Sequence, residues 1–282
     1  PAGKGRQMEL IPNEAIWDDF RAAIADKSAR TRQVEVLDRL IRVTITPLID
    51  ENQNCVGAVS LFTDITEQER LERTRRDYVA NVSHELRSPL TAMRALLEPM
   101  HDGMVRDEAT IKRYYDILLR ETMRLSRLIN DLMELSRLQS GTLSLDREEV
   151  SLEEMLSDLA ERYRLTAEDQ GKRFELRCDP AACPPVITNE DRTEQILVIL
   201  LDNAMKYTPA GGLVYLDGRW DGDKVVLMVG DTGVGIAPED QPYVFDRFYK
   251  VDKSHGSSGS GLGLPIAKEI LQAMGETIRV QS

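Results

Sequence analysis

A histidine followed directly by a glutamate, in Ser83-His-Glu-Leu-Arg-Ser-Pro-Leu-Thr91, puts a nucleophilic imidazole next to a carboxylate. A second set of residues suits a nucleotide. In Gly230-Asp-Thr-Gly-Val-Gly-Ile236, Asp231 emerges from the apolar run Val225-Val-Leu-Met-Val229 and can accept the exocyclic amine of adenine. Gly233 and Gly235, just before Ile236, let a base approach the backbone. The run Gly259, Ser260, Gly261, Leu262, Gly263 opens a helix at Leu264, whose free N–H groups and positive end suit phosphates. Pro265 in the first turn fits a helix start. Asn203, Lys206 and Tyr207 share one face of a helix beginning near Asp191. An amide oxygen there can coordinate Mg²⁺, and the ammonium can meet a phosphate. Taken singly, each glycine run is equally a turn, and an exposed histidine beside a proline is equally an ordinary surface residue.

The imidazole is placed by a helix. Leu71, Tyr78, Val82, Leu86, Leu90, Met93, Leu97 and Met100 recur in steps of seven, then four and three, which is a narrow apolar seam. At 100° per residue from Val82, the pair Val82 and Leu86 centres near about 20°, and His84 falls near about 200°, opposite the seam. Arg87 lies near about 140° and Ser88 near about 240°, beside the histidine one turn on. Pro89 cannot donate to the carbonyl of Glu85, so a bend is expected just after His84. After a break at His101-Asp-Gly103, a second seam runs Ile111, Tyr115, Leu118, Thr122, Leu125, Ile129, Leu132 in alternating fours and threes. Two helices of about 33 residues are each about 50 Å long. A lone hairpin of that length leaves its seams wet, so pairing into a dimeric four-helix bundle is expected. The alternative is that the seams pack on another part of the same chain.

Around this hairpin the chain mixes α and β. Before residue 67, Trp17–Ile24 suggests a short helix. Val34–Thr46 and Val56–Phe62 read as strands, joined through Pro47-Leu-Ile-Asp-Glu-Asn-Gln-Asn as a hairpin. Gly141 fits just past the end of the second long helix. From residue 146 to 282, helices at Leu152–Glu168, Asp191–Tyr207 and Leu264–Met274 alternate with extended Arg173–Cys178, Leu213–Trp220 and Lys224–Val229. The last two meet at Asp221-Gly222-Asp223, and an α/β sandwich is expected. His101 and His255 sit in loop-like sequence. The chain has 282 residues, 36 Lys+Arg against 48 Asp+Glu, and 41% hydrophobic residues. That is a globular composition of about two or three domains. A net charge of −12 without a basic block argues against nucleic acid as a partner. Cys55, Cys178 and Cys183 match no zinc spacing and read as reduced thiols. The longest apolar run, Ile196–Leu201, is far short of a membrane span of about 20 residues. Because the chain starts at Pro1 without an initiator Met, a longer polypeptide is expected.

In order and spacing these motifs resemble the sensor histidine kinases of two-component systems over residues 67–282. The resemblance rests on Ser83–Thr91, Asp202-Asn-Ala-Met-Lys-Tyr-Thr-Pro209, Asp231–Ile236, Val244-Phe-Asp-Arg-Phe-Tyr-Lys250 and Gly259–Leu264. It implies three parts: a partial PAS-like sensor segment (1–66), a dimerisation and histidine-phosphotransfer hairpin (67–141), and a catalytic ATP-binding domain (146–282). His84 would attack the γ-phosphate of ATP as neutral imidazole. Glu85 would hydrogen-bond the ring and set which nitrogen attacks. Asp231 would read adenine, Tyr207 contact the base, and Asn203 hold Mg²⁺, with Lys206 at the phosphates. Phe245 and Phe248 would anchor a lid over 238–258, and the glycine loop would cradle phosphate. The phosphoryl group would pass to an aspartate of a response-regulator receiver domain. The whole would be the cytoplasmic portion of a bacterial sensor with a membrane anchor upstream.

Departures from the family pattern carry expectations too. A second metal-ligand Asn usual in the family is here Ile199, so weakened metal binding is expected, and a degenerate kinase serving as a nucleotide-dependent scaffold is the alternative. Lys250 stands where Arg is frequent, keeping the charge without the bidentate fork. Ser88 replaces a Thr or Asn that orients water for dephosphorylating the regulator, and it keeps a hydroxyl. The chain stops at Ser282, before strands that relatives carry, so a shortened sheet is expected. A third reading, an ATPase of the chaperone or mismatch-repair type, has no use for Ser83–Thr91.

Overall fold

The computed structural model describes residues 14–140, 145–179, 183–221, 224–251 and 259–282. The chain divides into two units between Val82 and Ser83.

In the first unit, helix α1 (Glu14–Asp26) buries Ile16 and Ala23 against Val34, Val43 and Ile45 of a three-stranded sheet. Strands β1 (Arg30–Val36), β2 (Arg39–Ile49) and β3 (Cys55–Asp64) are antiparallel in sequence order. The run Val34–Thr46, expected as one strand, is split at Leu37 and Asp38, whose φ angles of 47° and 61° make a two-residue hairpin turn. Leucine is a poor signal for a left-handed position, which hid the turn; its side chain is 92% exposed. The second hairpin is present, with β2 carried through Pro47 to Ile49. Proline is tolerated there because the β1 ladder ends at Arg30 opposite Ile45, so nothing needs the missing donor on that side. The shortened turn is closed by Asp50, whose Oδ1 accepts from the N–H groups of Asn52 and Asn54 at 2.9 and 2.7 Å.

The hairpin helices are α2 (Thr66–His101) and α3 (Glu108–Gln139). Helix α2 runs unbroken through Pro89 and Pro99, and His101, expected in a loop, is its last residue. Asp107 caps α3 by accepting from Thr110 N at 2.8 Å. Its Thr110 contacts hold its carboxyl below the usual carboxylate range. Leu71, Leu90, Leu97, Tyr115 and Ile129 of the seams are exposed on the single chain. Leu132 packs instead on the α/β part, as the alternative reading of the seams has it. Gly141 and His255 lie outside the described residues, as do positions 222–223 and 252–258.

The α/β part comprises β4 (Glu148–Val150), α4 (Leu152–Asp169), β5 (Arg173–Leu176), β6 (Val186–Thr188), α5 (Glu190–Tyr207), β7 (Leu213–Asp221), β8 (Lys224–Asp231), a 3-10 turn (Gln241–Tyr243) and α6 (Gly263–Met274). Strand β7 is central, parallel to β5 and antiparallel to β8, while β4 pairs with β6. Ser151 and Asn189 cap α4 and α5 through Glu154 N and Arg192 N. The two helices bury Leu156, Leu159, Leu197 and Leu201 against Val214 and Leu216 of β7, the expected sandwich. Each fully buried leucine contributes about 1.5–3 kcal/mol. A second core joins hairpin to sandwich. Leu128 and Leu135 of α3 pack with Ile196 of α5 and with Leu262, Ile266, Ile270 and Met274 around α6.

Candidate functional site

His84 is exposed on α2, and Ser88, one turn on, is exposed as well. Glu85 turns the other way. Its Oε1 accepts from Lys250 Nζ at 2.6 Å and its Oε2 from Arg124 Nη2 of α3 at 3.4 Å. The expected contact from Glu85 to the His84 ring is therefore replaced by two cations. The reason is geometric, since adjacent helix residues point about 100° apart and do not face each other.

Three segments distant in sequence converge at the end of α5. The Lys206 ammonium lies 2.8 Å from where a Cβ on Gly259 would stand. It also donates to Tyr207 Oη at 2.9 Å. At the start of α6, a Cβ on Gly263 would stand 3.3 Å from Ile199 Cγ2 and 3.8 Å from Asn203 Nδ2. Asn203 is oriented by its own helix, Nδ2 donating to Ile199 O at 2.9 Å. A Cβ on Gly233 would come within 2.4 Å of Tyr207 O, so the loop after β8 touches α5 only because residue 233 has no side chain. Asp231 is exposed at the end of β8, with its Oδ1 fixed by Gly233 N at 2.7 Å. Gly235 has φ 70°, and Ile236 N donates to Ser282 Oγ at 2.8 Å.

This arrangement gathers a carboxylate, an ammonium and a glycine-rich helix start around one glycine-lined approach. These donors and acceptors fit a purine amine and phosphate oxygens. Among the described residues no group of three His, Cys, Asp or Glu is built to hold a metal. Of the two α5 positions expected to face Mg²⁺, Asn203 offers a hard oxygen and Ile199 offers none.

Of the remaining predicted residues, Lys250, Ser260 and Phe248 reach the hairpin or the core it shares with α6. Phe248, at φ 64°, donates from its N–H to Gly261 O at 2.9 Å. Gly261 must lack a side chain here, since a Cβ would come 2.9 Å from Phe248 Cα. Ser260 Oγ donates to Asp131 Oδ2 of α3 at 2.8 Å and accepts from Leu262 N at 3.2 Å. Phe245 is half-buried, with Lys268 Nζ 5.7 Å above its ring. Asp131, Glu134 and Arg124 of α3 were not legible as site residues. Glu134 Oε1 accepts from Arg192 Nη1 at 2.6 Å, and both its oxygens accept from Gln195 Nε2 at 2.8 Å. Burial pushes the Asp131 carboxyl up, and the Ser260 hydroxyl opposes this only in part. Tyr163 donates to Asp202 Oδ1 at 2.7 Å, and burial together with that carboxylate raises its phenol well above the ordinary range. Tyr249 is pushed up to about 12 by its bond to Asp240.

Two family models match this chain. The His Kinase A (phospho-acceptor) domain matches residues 74–141, and the histidine kinase-, DNA gyrase B-, and HSP90-like ATPase matches residues 188–282. Sensor histidine kinase WalK of Bacillus subtilis is 36% identical over 93% of this chain and 44% of its own length. Sensor protein SrrB of Staphylococcus aureus is 36% identical over 95% of this chain and 45% of its own. The chain thus spans under half the length of these relatives. Among solved structures, Acinetobacter baumannii histidine kinase AdeS aligns with a TM-score of 0.54 at 29% identity, covering 67% of this chain and 86% of that one. Histidine kinase ThkA, in complex with response regulator TrrA, aligns with a TM-score of 0.57 at 21% identity, covering 95% of this chain and 79% of that one, a likeness of fold.

Proposed function

The chain belongs to the sensor histidine kinases, and we propose on that premise that it phosphorylates His84 from ATP and passes the phosphoryl group to an aspartate of a response-regulator receiver domain. In the first step the bond between the γ-phosphorus and the bridging oxygen breaks, an N–P bond forms on the imidazole, ADP leaves, and the ring gives up its N–H proton to the water that bathes exposed His84. Asp231 accepts the adenine amine and Tyr207 lies against the base. Lys206 and the N–H groups opening α6 meet the phosphates. Asn203 would hold Mg²⁺, whose charge would offset that of the phosphates. Glu85 serves the ring only after Lys250 releases it. The Ser88 hydroxyl orients water for the separate hydrolysis that dephosphorylates the regulator.

The reading is carried by the convergence of Lys206 on Gly259, Asn203 on Gly263 and Tyr207 on Gly233. These contacts share a unit with an exposed histidine inside the phospho-acceptor match. The exposed seam residues support a homodimer, formed by pairing hairpins into a four-helix bundle. Residues 1–66 are a partial PAS-like sensor segment, a reading supported by the helix on a three-stranded antiparallel sheet in its described part. The chain is the cytoplasmic portion of a sensor anchored upstream. Among the described residues no helix is long and apolar enough to cross a membrane.

The test is incubation with γ-labelled ATP and Mg²⁺. Label should enter the chain, survive alkali, fall to acid, and move to a purified receiver domain. Phosphate release with no labelled protein would instead make the chain an ATPase.

A scaffold without kinase activity is favoured by one observation. Ile199, at the expected ligand position, packs into the apolar core around α6 instead of facing a metal. Ile199→Asn is expected to raise the autophosphorylation rate about tenfold at limiting Mg²⁺, as one added oxygen ligand would. An unchanged rate across a Mg²⁺ titration would show that the metal needs only Asn203.

A further inference from the structure

Two cysteines that no step of the phosphotransfer uses meet at one strand. Cys178 follows β5 and Cys183 precedes β6. Arg177 N donates to Leu216 O at 2.9 Å, so the chain is tied to β7 up to the residue before Cys178. Cys183 Sγ turns back to within 3.8 Å of Asp179 O. Both sulfurs then converge on Gly218 of β7. A Cβ there would stand 3.4 Å from Cys178 Sγ and 3.6 Å from Cys183 Sγ. The two thiols thus flank a single point, and the missing side chain leaves it open to them.

Both thiols are half-buried and pack on the core formed by α4, α5 and β7. A cavity of about 340 Å³ opens at the pair, lined also by Arg177, Asp179 and Trp220. A small reagent can therefore reach the sulfurs. Burial pushes the Cys178 thiol up, and the neighbouring Cys183 adds to this. Among the described residues no group of three His, Cys, Asp or Glu is placed to hold a metal, which leaves the sulfurs to react with each other.

We propose that Cys178 and Cys183 form a reversible redox pair, a modification site for low-molecular-weight disulfides. The Cys183 thiolate attacks one sulfur of such a disulfide. That S–S bond breaks, a mixed disulfide forms, and one small thiolate leaves. Cys178 then attacks Cys183 Sγ, the internal S–S bond forms, and the second small thiolate leaves. Two protein thiols are oxidised, one small disulfide is reduced, and the two protein protons pass to the departing thiolates. Cys183 opens the exchange because a thiol that is pushed up stays protonated, which makes Cys178 the resolving sulfur. The bond joins the end of β5 to the approach to β6. By linkage, the factor by which the fold favours closing the disulfide is the factor by which the disulfide stabilises the fold.

For the test, the full chain would be equilibrated with glutathione and glutathione disulfide, alkylated and digested with trypsin. Cys178 and Cys183 share the tryptic peptide 178–192, so the internal bond lowers its mass by about 2 Da. That species is expected to form without Cys55 and to disappear on treatment with dithiothreitol. Its ratio to the dithiol form should be at least about tenfold higher in the folded chain than in urea, because the fold gathers both sulfurs at Gly218. Cys178→Ser should instead retain glutathione on Cys183. Two free cysteines in that peptide, or two carrying glutathione, would overturn the pair. Equal ratios in the folded and the unfolded chain would overturn it as well, since nearness in sequence would then suffice.

Discussion

His84→Gln is expected to abolish phosphate incorporation, a loss of at least about 10³-fold, because glutamine supplies no nucleophilic nitrogen. The substitution should leave the fold alone. His84 is exposed on α2, and surface changes away from caps and cores stay within about 0.5 kcal/mol. It should also leave affinity for an ATP analogue unaltered, since the elements proposed to hold nucleotide are α5, α6 and the loop after β8. The measurement is therefore a pair: label incorporated and analogue bound, on one preparation. Label entering the variant at the parental rate would move the acceptor elsewhere and remove the central assignment.

Asp231→Asn is expected to weaken ATP binding by about 30–150-fold, the loss of roughly 2–3 kcal/mol for a hydrogen bond to a charged group. Asparagine keeps an oxygen for Gly233 N, which Asp231 Oδ1 engages at 2.7 Å, so the loop should hold its shape. What changes is the other half of the side chain, where an amide donor would meet the donor amine of adenine. Titration of the analogue into parent and variant, with thermal melting as a control on folding, decides this. Unchanged affinity would place adenine recognition on another group.

Much of this arrangement was legible from periodicity. The steps of four and three through Val82, Leu86 and Leu90 mark a helix with one apolar stripe, and the same count at 100° per residue puts His84 opposite it. Glycines 233, 259, 261 and 263 signalled close approach because few other roles need them so densely. What periodicity could not show is pairing across long stretches of chain. Lys250 meets Glu85 across 165 residues and Ser260 meets Asp131 across 129, and no local pattern marks either partner. Asp131 and Glu134 look like the polar face of any solvated helix. The turn at Leu37 and Asp38 was hidden for a different reason: a leucine there continued the alternation that identifies a strand.

The glycines also differ in how freely their positions can drift. At Gly57 a Cβ would meet nothing within 4 Å, and the backbone there does not require glycine, so that site is open to change over generations. At Gly233 the first methyl group would strike the carbonyl of Tyr207, a main-chain atom that no rotamer can move aside. Residue 233 is therefore held to glycine whatever side chain residue 207 carries, because the obstacle is main chain.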